Sequence, residues 1–197
     1  MDTSKRLFDV VVSSMMVIFF APLMLVIALA IRLSSPGPVL YRATRVGLYS
    51  REFKLYKFRT MVTGADQIGP GITASADPRV TPIGRLLRAA KLDELPQVFN
   101  VLRGEMSLVG PRPEDPRYVA LYTPEQRQVL SVRPGITGVA SVQYRHENLL
   151  LAGADYETTY VQEIMPAKLA LDLEYVRNPR LSHDIVILFR TAQALFR

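Results

Sequence analysis

The chain has 197 residues, and 49% of them are apolar, which excludes a disordered protein and allows a domain with a buried core. It has no cysteine and two histidines, which excludes disulfides, thiolate metal sites, cysteine nucleophiles and histidine-rich metal clusters. The formal net charge is +6, and 19 of the 24 basic residues are arginine, a bias that favours recognition of phosphate or carboxylate groups.

The longest apolar run lies near the N-terminus. Residues 10–31 contain no charged side chain. A helix of that length extends about 33 Å, enough to cross a bilayer. No cleavage site of the kind that ends a secretory signal follows the run. We therefore predict a membrane-embedded segment over residues 1–35 and a second domain over residues 36–197.

Pro22 lies near the middle of this run and predicts a kink or a break, because proline lacks a backbone donor and clashes with the preceding turn. Basic residues flank the run on both sides, with Lys5 and Arg6 before it and Arg32 and Arg42 after it. Basic flanks favour the cytoplasmic side of a membrane. A helix that bends at Pro22 and leaves by the face it entered satisfies both observations. A kinked helix that spans the membrane is the alternative.

A small β-hairpin is expected after the membrane segment. Residues 39–42 and 53–59 alternate in the manner of strands, with a turn near Gly47 between them. Residues 63–82 are rich in glycine and proline and predict a loop.

Two helices are expected next, over residues 84–91 and 94–103. Asp93 is a suitable N-cap for the second helix, and Pro96 is tolerated in its first turn. Gly104 is expected to end that helix.

The remaining chain predicts loops over residues 109–114 and 133–138. Helices are expected over residues 118–130, 156–165, 169–175 and 184–196. The last of these is apolar and could pack on the core or lie in a membrane interface. The predicted fold class is therefore mostly α with a small β-hairpin.

Asp93 and Glu94 are the residues with the clearest chemical potential. Two adjacent carboxylates can bind a hard cation such as Mg²⁺, and an aspartate can also act as a nucleophile towards phosphorus. Arg88 precedes them, and Arg112 stands between two prolines that fix its backbone. Together these groups suit phosphoryl transfer, in which positioning and charge neutralisation supply most of the catalysis. The alternative is structural, because a pair of acids at a helix start is often only a cap.

The order of several motifs resembles that of the bacterial sugar transferase family, the small monotopic phosphoglycosyl transferases. The similarity runs from residue 5 to about residue 140, and a weaker match near residues 175–191 extends it. The matching segments are residues 5–9, Pro22, residues 56–61, Arg88, and residues 92–97, 100–107, 110–113 and 133–138. The chain departs from the family at Ala21, where we expect serine, and over residues 145–172. We interpret that stretch as setting sugar choice or forming a homodimer contact.

The resemblance implies an N-terminal re-entrant helix hairpin broken at Pro22. It also implies a catalytic domain with interfacial amphipathic helices on the cytoplasmic face of the bacterial inner membrane, in contact with its phospholipids. The implied reaction transfers a sugar-1-phosphate from a UDP-sugar to polyprenyl (undecaprenyl) phosphate and releases UMP.

The resemblance also assigns roles to individual residues. Asp93 would attack the sugar-bearing phosphate, form a covalent phosphosugar intermediate and hold Mg²⁺. Glu94 would complete the catalytic pair by assisting the metal or a proton transfer. Lys57, Arg88 and Arg112 would contact substrate phosphate.

A non-catalytic membrane module is the alternative function. Residues 32–91 carry a net charge of +8 and could bind anionic lipid head groups. Nucleic-acid binding is disfavoured, because the sequence carries no recognised motif for it.

Overall fold

The computed structural model describes residues 3–65, 77–145 and 156–195, and helices form most of this part of the chain, as predicted. The α-helices are α1 (Thr3–Ser34), α2 (Pro82–Ala89), α3 (Gln97–Arg103), α4 (Pro116–Val119), α5 (Val139–Gln143), α6 (Tyr156–Thr159), α7 (Met165–Arg177) and α8 (Leu181–Leu195). The strands are β1 (Leu40–Val46), β2 (Glu52–Phe58), β3 (Ser107–Val109) and β4 (Gly135–Thr137).

Among the described residues, α1 is the one helix that is long and apolar enough to cross a membrane. Its most apolar window has a mean hydropathy of 2.6, and 11% of that window is buried. Large apolar side chains in its middle are exposed, including Ile18, Phe19 and Leu25. The helix continues through Pro22, so the chain does not leave helical geometry at that residue. Membrane embedding and the re-entrant path stay predictions.

Polar contacts fix the N-terminal end of α1 to the rest of the protein. The guanidinium of Arg6 donates to the carbonyl oxygens of Val101 and Leu102 at 2.6 and 3.0 Å. These carbonyls belong to the last turn of α3, where a positive charge is favoured by unpaired acceptors and the helix dipole. Lys5 Nζ lies 2.5 Å from Oδ2 of Asp184, which is buried in the first turn of α8.

The C-terminal end of α1 also packs on the domain that follows it. Ile31 is buried in an apolar cluster that includes Phe58 of β2. Arg59 Nη2 and Nη1 donate to the carbonyl oxygens of Ser35 and Pro36, each at 2.8 Å. Both ends of α1 are therefore anchored to the same domain, while its middle is exposed.

The predicted β-hairpin is confirmed. Strands β1 and β2 pair antiparallel, with Leu40 opposite Phe58 and Val46 opposite Glu52. The turn between them contains a 3₁₀ segment at Leu48–Ser50. Of the predicted loop over residues 63–82, positions 66–76 lie outside the described residues, and its last residue begins α2.

The start of the second predicted helix differs from expectation. Asp93 does not cap it, because Leu92–Glu94 forms a separate 3₁₀ turn and α3 begins at Gln97, after Pro96. Proline cannot donate within a helix, so it separates the turn from the helix. Gly104 ends α3 with a φ of 83°, as predicted.

A short parallel sheet was not predicted. Ser107 of β3 lies opposite Gly135 of β4, and Val109 opposite Thr137. Strands of three residues are too short to show an alternating pattern, and the glycines and prolines around them favour a loop interpretation. A Cβ on Gly135 would lie 2.1 Å from the backbone nitrogen of Gly110, so the close approach of the two segments requires glycine.

Three helix predictions need correction. Residues 118–130 do not form one helix, because α4 ends at Val119 and a 3₁₀ segment follows at Gln126–Ser131. The expected gap between residues 165 and 169 is absent, because α7 already begins at Met165. A π-helical turn at Tyr160–Ile164 joins α6 to α7. Helix α8 begins earlier than expected, at Leu181, and residue 196 lies outside the described residues.

Candidate active site

Asp93 and Glu94 lie on the 3₁₀ turn between α2 and α3. Lys91, which precedes the turn, has a left-handed φ of 55° and redirects the chain as it leaves α2. Asp93 is 8% exposed, and the side chain of Glu94 is 18% exposed. Two carboxylates so little exposed need neighbouring positive charges.

Glu94 binds two of the predicted phosphate-contacting residues. Lys57 Nζ, from β2, donates to Oε1 of Glu94 at 2.7 Å. Arg112 Nη2, from the loop after β3, donates to the same oxygen at 2.8 Å. The structure thus brings together three predicted site residues that are far apart in the chain. A carboxylate shared by two cations holds both cationic heads in place.

The two neighbouring carboxylates are in opposite electrostatic situations. Burial acts to raise the pKa of Glu94, but the charges and hydrogen bonds of Arg112 and Lys57 hold that pKa well below its usual range. Burial raises the pKa of Asp93, and the charge of Lys57 only partly offsets this effect. Glu94 is therefore a fixed anion, whereas Asp93 is the less stabilised and more basic carboxylate.

Lys57 is itself perturbed by its location. Burial lowers the pKa of Lys57, although the neighbouring charge of Glu94 acts to raise it. Asn100, which the sequence analysis did not single out, fixes the backbone beside it. Asn100 Nδ2 donates to the carbonyl of Lys54 at 2.8 Å, and its Oδ1 accepts from the N–H of Tyr56 at 3.0 Å. This fully buried amide links α3 to β2.

Arg88 reaches the site from another direction. Its Nε donates to Oγ1 of Thr60 at 2.8 Å, and its charge lowers the pKa of Asp93 without a direct bond between the two side chains in the described structure. Gly84 lets α2 lie against this segment, since a Cβ there would stand 2.0 Å from the carbonyl oxygen of Thr60. Arg88 therefore acts on Asp93, whereas Lys57 and Arg112 bind Glu94.

Asp172 of α7 is a second supporting residue that sequence reasoning missed. The backbone of Ala140 and that of Arg112 stabilise the charged form of its carboxylate and act to lower its pKa. Burial raises the pKa of Asp172 to about 6. Asp172 therefore lies near the backbone of the loop that carries the Arg112 guanidinium. The sequence did not indicate a role for Asp172, because this residue lies in the stretch that fits the family pattern poorly.

The donor set at the turn fits a magnesium ion. Within residues 3–65, 77–145 and 156–195, no group of three or more acidic, histidine or cysteine side chains is placed to hold a metal. Mg²⁺ does not need such a cage, because it keeps several waters and is bound by one or two carboxylates plus substrate phosphates. Glu94 is already committed to two cations, which leaves Asp93 as the carboxylate suited to a metal.

A cavity of about 220 Å³ opens beside this group and shares Lys57 and Arg112 with it. Its other walls come from β1, β2, α3, the loop that follows Arg112, α4, the π-helical turn and α7. The arrangement combines a basic carboxylate, a fixed anion, several cations and an adjoining cavity. Such a site can bind a phosphorylated ligand and bring a carboxylate oxygen to its phosphorus.

Comparisons with known proteins agree with this chemistry. A family model described as bacterial sugar transferase matches residues 1–197. The chain is 43% identical to a UDP-glucose:undecaprenyl-phosphate glucose-1-phosphate transferase of Caulobacter vibrioides, over 98% of the chain and 70% of that relative. It is 41% identical to an exopolysaccharide production protein of Rhizobium leguminosarum, over 95% of the chain and 92% of that relative.

A third relative is much longer than this chain. The chain is 38% identical to a UDP-N-acetylgalactosamine-undecaprenyl-phosphate N-acetylgalactosaminephosphotransferase of Aeromonas hydrophila. The match covers 97% of the chain and 43% of that relative, so the chain spans less than half of its length.

Proposed function

The chain belongs to the bacterial sugar transferase family and is a sugar-phosphate transferase, and we propose that it moves a sugar-1-phosphate from a UDP-sugar to undecaprenyl phosphate. The activities for which the relatives are named support this donor and acceptor. The observation that carries the proposal is the contrast between two adjacent carboxylates. Asp93 is buried and its pKa is raised, whereas Glu94 is held by two cations. Family membership argues against the alternative of a module that only binds lipid.

The proposed reaction has two displacements at one phosphorus atom. An Asp93 carboxylate oxygen attacks the phosphorus that bears the sugar, and the bond from that phosphorus to the bridging oxygen breaks. UMP leaves with the bridging oxygen and its electron pair. A phosphate oxygen of undecaprenyl phosphate then attacks the same phosphorus and releases the Asp93 carboxylate. The raised pKa of Asp93 supports its role as nucleophile, because a more basic carboxylate attacks more readily.

The other site residues act on charge and position. Lys57 and Arg112, oriented by Glu94, face the negative charge that develops on phosphate oxygens. Arg88 neutralises charge from the side of Asp93. A Mg²⁺ ion held by Asp93 would neutralise diphosphate oxygens and favour departure of UMP.

The location of the acceptor requires the site to lie at a membrane surface. Both ends of α1 are anchored to the catalytic domain, through Arg6 at one end and Arg59 at the other. Anchored ends and an exposed apolar middle support a helix that enters and leaves the membrane on one side. The catalytic domain, residues 36–197, would then lie on the cytoplasmic face of the inner membrane.

UMP release tests the proposal. Purified protein is incubated with Mg²⁺, undecaprenyl phosphate and either UDP-glucose or UDP-N-acetylgalactosamine. We expect UMP and a lipid-linked product with at least one donor, and loss of both with Asp93→Asn, which should still fold and bind membrane. Turnover by Asp93→Asn equal to that of the parent protein would refute the role of Asp93.

A further inference from the structure

Lys91 has a backbone conformation that lysine rarely adopts. It follows Ala90, the C-cap of α2, and its φ of 55° and ψ of 19° lie in the left-handed region. Helices often end with a left-handed residue, but that residue is usually glycine, because a Cβ there lies too close to the following carbonyl oxygen. Backbone strain of this kind is concentrated at functional sites. A lysine at this position therefore indicates a use for its side chain.

The side chain of Lys91 has no structural use in the part of the chain that the structure describes. It is exposed, and its ammonium group takes part in no hydrogen bond or ion pair with the described residues. Its charge nevertheless reaches the catalytic turn, where it acts to lower the pKa of Asp93. A lysine ammonium is a compact point charge that binds phosphate. Lys91 can therefore bind a phosphate group that comes close to Asp93.

Lys91 is separate from the cations that hold Glu94. Lys57 and Arg112 bind Glu94 and line the cavity of about 220 Å³, whereas Lys91 does neither. In the proposed reaction two phosphorylated substrates reach Asp93 in turn, first the UDP-sugar and then undecaprenyl phosphate. The surroundings of Lys91 decide which of these two substrates it suits.

The end of α2 lies beside α1, where a lipid substrate would arrive. Ile31 of α1 and Leu87 of α2 are buried in one apolar cluster, and Leu92 and Leu95 of the catalytic turn pack against it. In the proposed topology the exposed apolar part of α1 lies in the bilayer. The segment from α2 to the turn is therefore in direct contact with the helix that would lie beside the lipid acceptor.

The exposed surface at the end of α2 has the polarity of a lipid phosphate. Leu86 is 68% exposed, and Ala89 and Ala90, which follow it, are also exposed. Lys91 comes directly after them. An apolar surface that ends in a cation matches a prenyl chain that ends in a phosphate. A UDP-sugar has no apolar chain, so it offers Leu86 no partner.

We infer that the end of α2 binds the lipid acceptor and that Lys91 contacts its phosphate. This contact would hold the acceptor phosphate close to Asp93 before it attacks the phosphorus that bears the sugar. Lys91 would thus serve the second displacement and leave the first, in which UMP departs, to the other site residues. This inference rests on the proposed function.

Separate kinetics for the two substrates test the inference. In a reaction with a covalent intermediate, kcat/KM for the donor reports the steps up to UMP release, and kcat/KM for the acceptor reports the later steps. Lys91→Gln removes the cation, Lys91→Gly removes it in a residue that suits the left-handed backbone, and Lys91→Arg keeps the charge. The exposed Lys54 of β2 supplies the matched control Lys54→Gln. Each protein is assayed in detergent without phospholipid and in vesicles that contain phosphatidylglycerol.

We expect Lys91→Gln and Lys91→Gly to lower kcat/KM for undecaprenyl phosphate by roughly tenfold in both media, with kcat/KM for the UDP-sugar unchanged. Lys91→Arg should restore most of the loss, and Lys54→Gln should match the parent protein for both substrates. Unchanged acceptor kinetics, an equal loss for both substrates or a loss confined to the donor would overturn the inference. An effect seen only in the vesicles would also overturn it, because it would assign Lys91 to phospholipid head groups.

Failure of the proposed function is distinct from failure of this inference. If the proposed function is wrong, the parent protein itself turns over no UDP-sugar. If only the inference is wrong, the parent protein is active and the Lys91 variants show no selective loss towards the acceptor.

Discussion

At the scale of single residues, Asp93 and Glu94 are adjacent in the chain but differ in their partners. Lys57 and Arg112 both bind Glu94, so its charge is satisfied within the protein. Among the described residues, cations support Asp93 only through space, and burial raises its pKa. This contrast supports the proposed roles of Glu94 as a structural anion and of Asp93 as the reactive carboxylate, and it has consequences for stability and for pH dependence.

Asp93→Asn is expected to raise thermal stability at pH 7 while abolishing activity. A raised pKa means that protonation stabilises the native state, fully below the ordinary value of 3.8, and that this stabilisation is lost as pH rises through the raised value. At neutral pH the buried charge is therefore a cost, and asparagine removes it. Unfolding temperatures measured from pH 7 down to pH 4 check this. A variant less stable than the parent at pH 7 would contradict the assignment.

Lys57→Met is expected to move the acid limb of the rate profile to higher pH. The charge of Lys57 lowers the pKa of Asp93, so its removal raises that pKa further and leaves Asp93 protonated over a wider range. The rate of UMP release is measured as a function of pH. Lys54→Met, at an exposed position of the same strand, is the control and should keep the parent profile. An unshifted limb in Lys57→Met would be inconsistent with the electrostatic account.

At the scale of elements, close packing of α2 against the segment after β2 positions Arg88, whose charge acts on Asp93. Gly84 makes that packing possible, because its missing side chain leaves room for the carbonyl oxygen of Thr60. The adjoining hydroxyl of Thr60 then accepts from Arg88.

Gly84→Ala is expected to destabilise the protein and slow UMP release. In an unobstructed helix, alanine is favoured over glycine by about 1 kcal/mol, so the ordinary effect has the opposite sign. Here the added Cβ would lie 2.0 Å from a backbone oxygen, and α2 has to shift. Thermal unfolding measures the effect, with Arg85→Ala at an exposed position of α2 as the control. A higher unfolding temperature for Gly84→Ala would show that α2 does not pack in this way.

The elements that could be predicted are those with a long pattern. Helix α1 follows from the absence of charged residues over 10–31. The hairpin follows from the alternation of apolar and polar residues on either side of Gly47. The strands β3 and β4 could not be read, because three residues carry no period. Asp93 was expected to cap a helix, and the 3₁₀ turn before Pro96 follows from a competition between local preferences that the sequence does not decide.

The candidate site was predictable in its members and not in its pairing. Adjacent acids, the preceding Arg88 and a proline-fixed arginine suggest phosphate chemistry, and the family resemblance adds Lys57. That Lys57 and Arg112 both bind Glu94, and that Asp172 lies near the backbone of Arg112, depends on tertiary contacts. Residues that act through others, such as Asn100, carry no local signature.

At the scale of the whole molecule, the two anchored ends of α1 would connect catalysis to the membrane in the proposed topology. Lys5 and Arg6 bind the domain directly, so their charges are engaged by protein groups. Both ends of the apolar helix are thereby held beside one catalytic domain. The exposed apolar middle of α1 would lie in the bilayer next to the lipid acceptor.

Cysteine labelling checks this topology. The chain has no cysteine, so Thr3→Cys and Ser35→Cys each introduce a single reactive site. We expect a membrane-impermeant reagent to label both positions from the cytoplasmic face, as it labels Arg127→Cys on the catalytic domain. Labelling of positions 3 and 35 from opposite faces would establish a spanning helix and remove the re-entrant path.

The most direct measurement of the central claim is the intact mass of the protein after incubation with Mg²⁺ and a UDP-sugar in the absence of lipid acceptor. The account predicts release of UMP and an increase in protein mass equal to one sugar phosphate, lost on addition of undecaprenyl phosphate and absent in Asp93→Asn. A protein that releases UMP only when the acceptor is present, and whose mass never changes, would contradict the account.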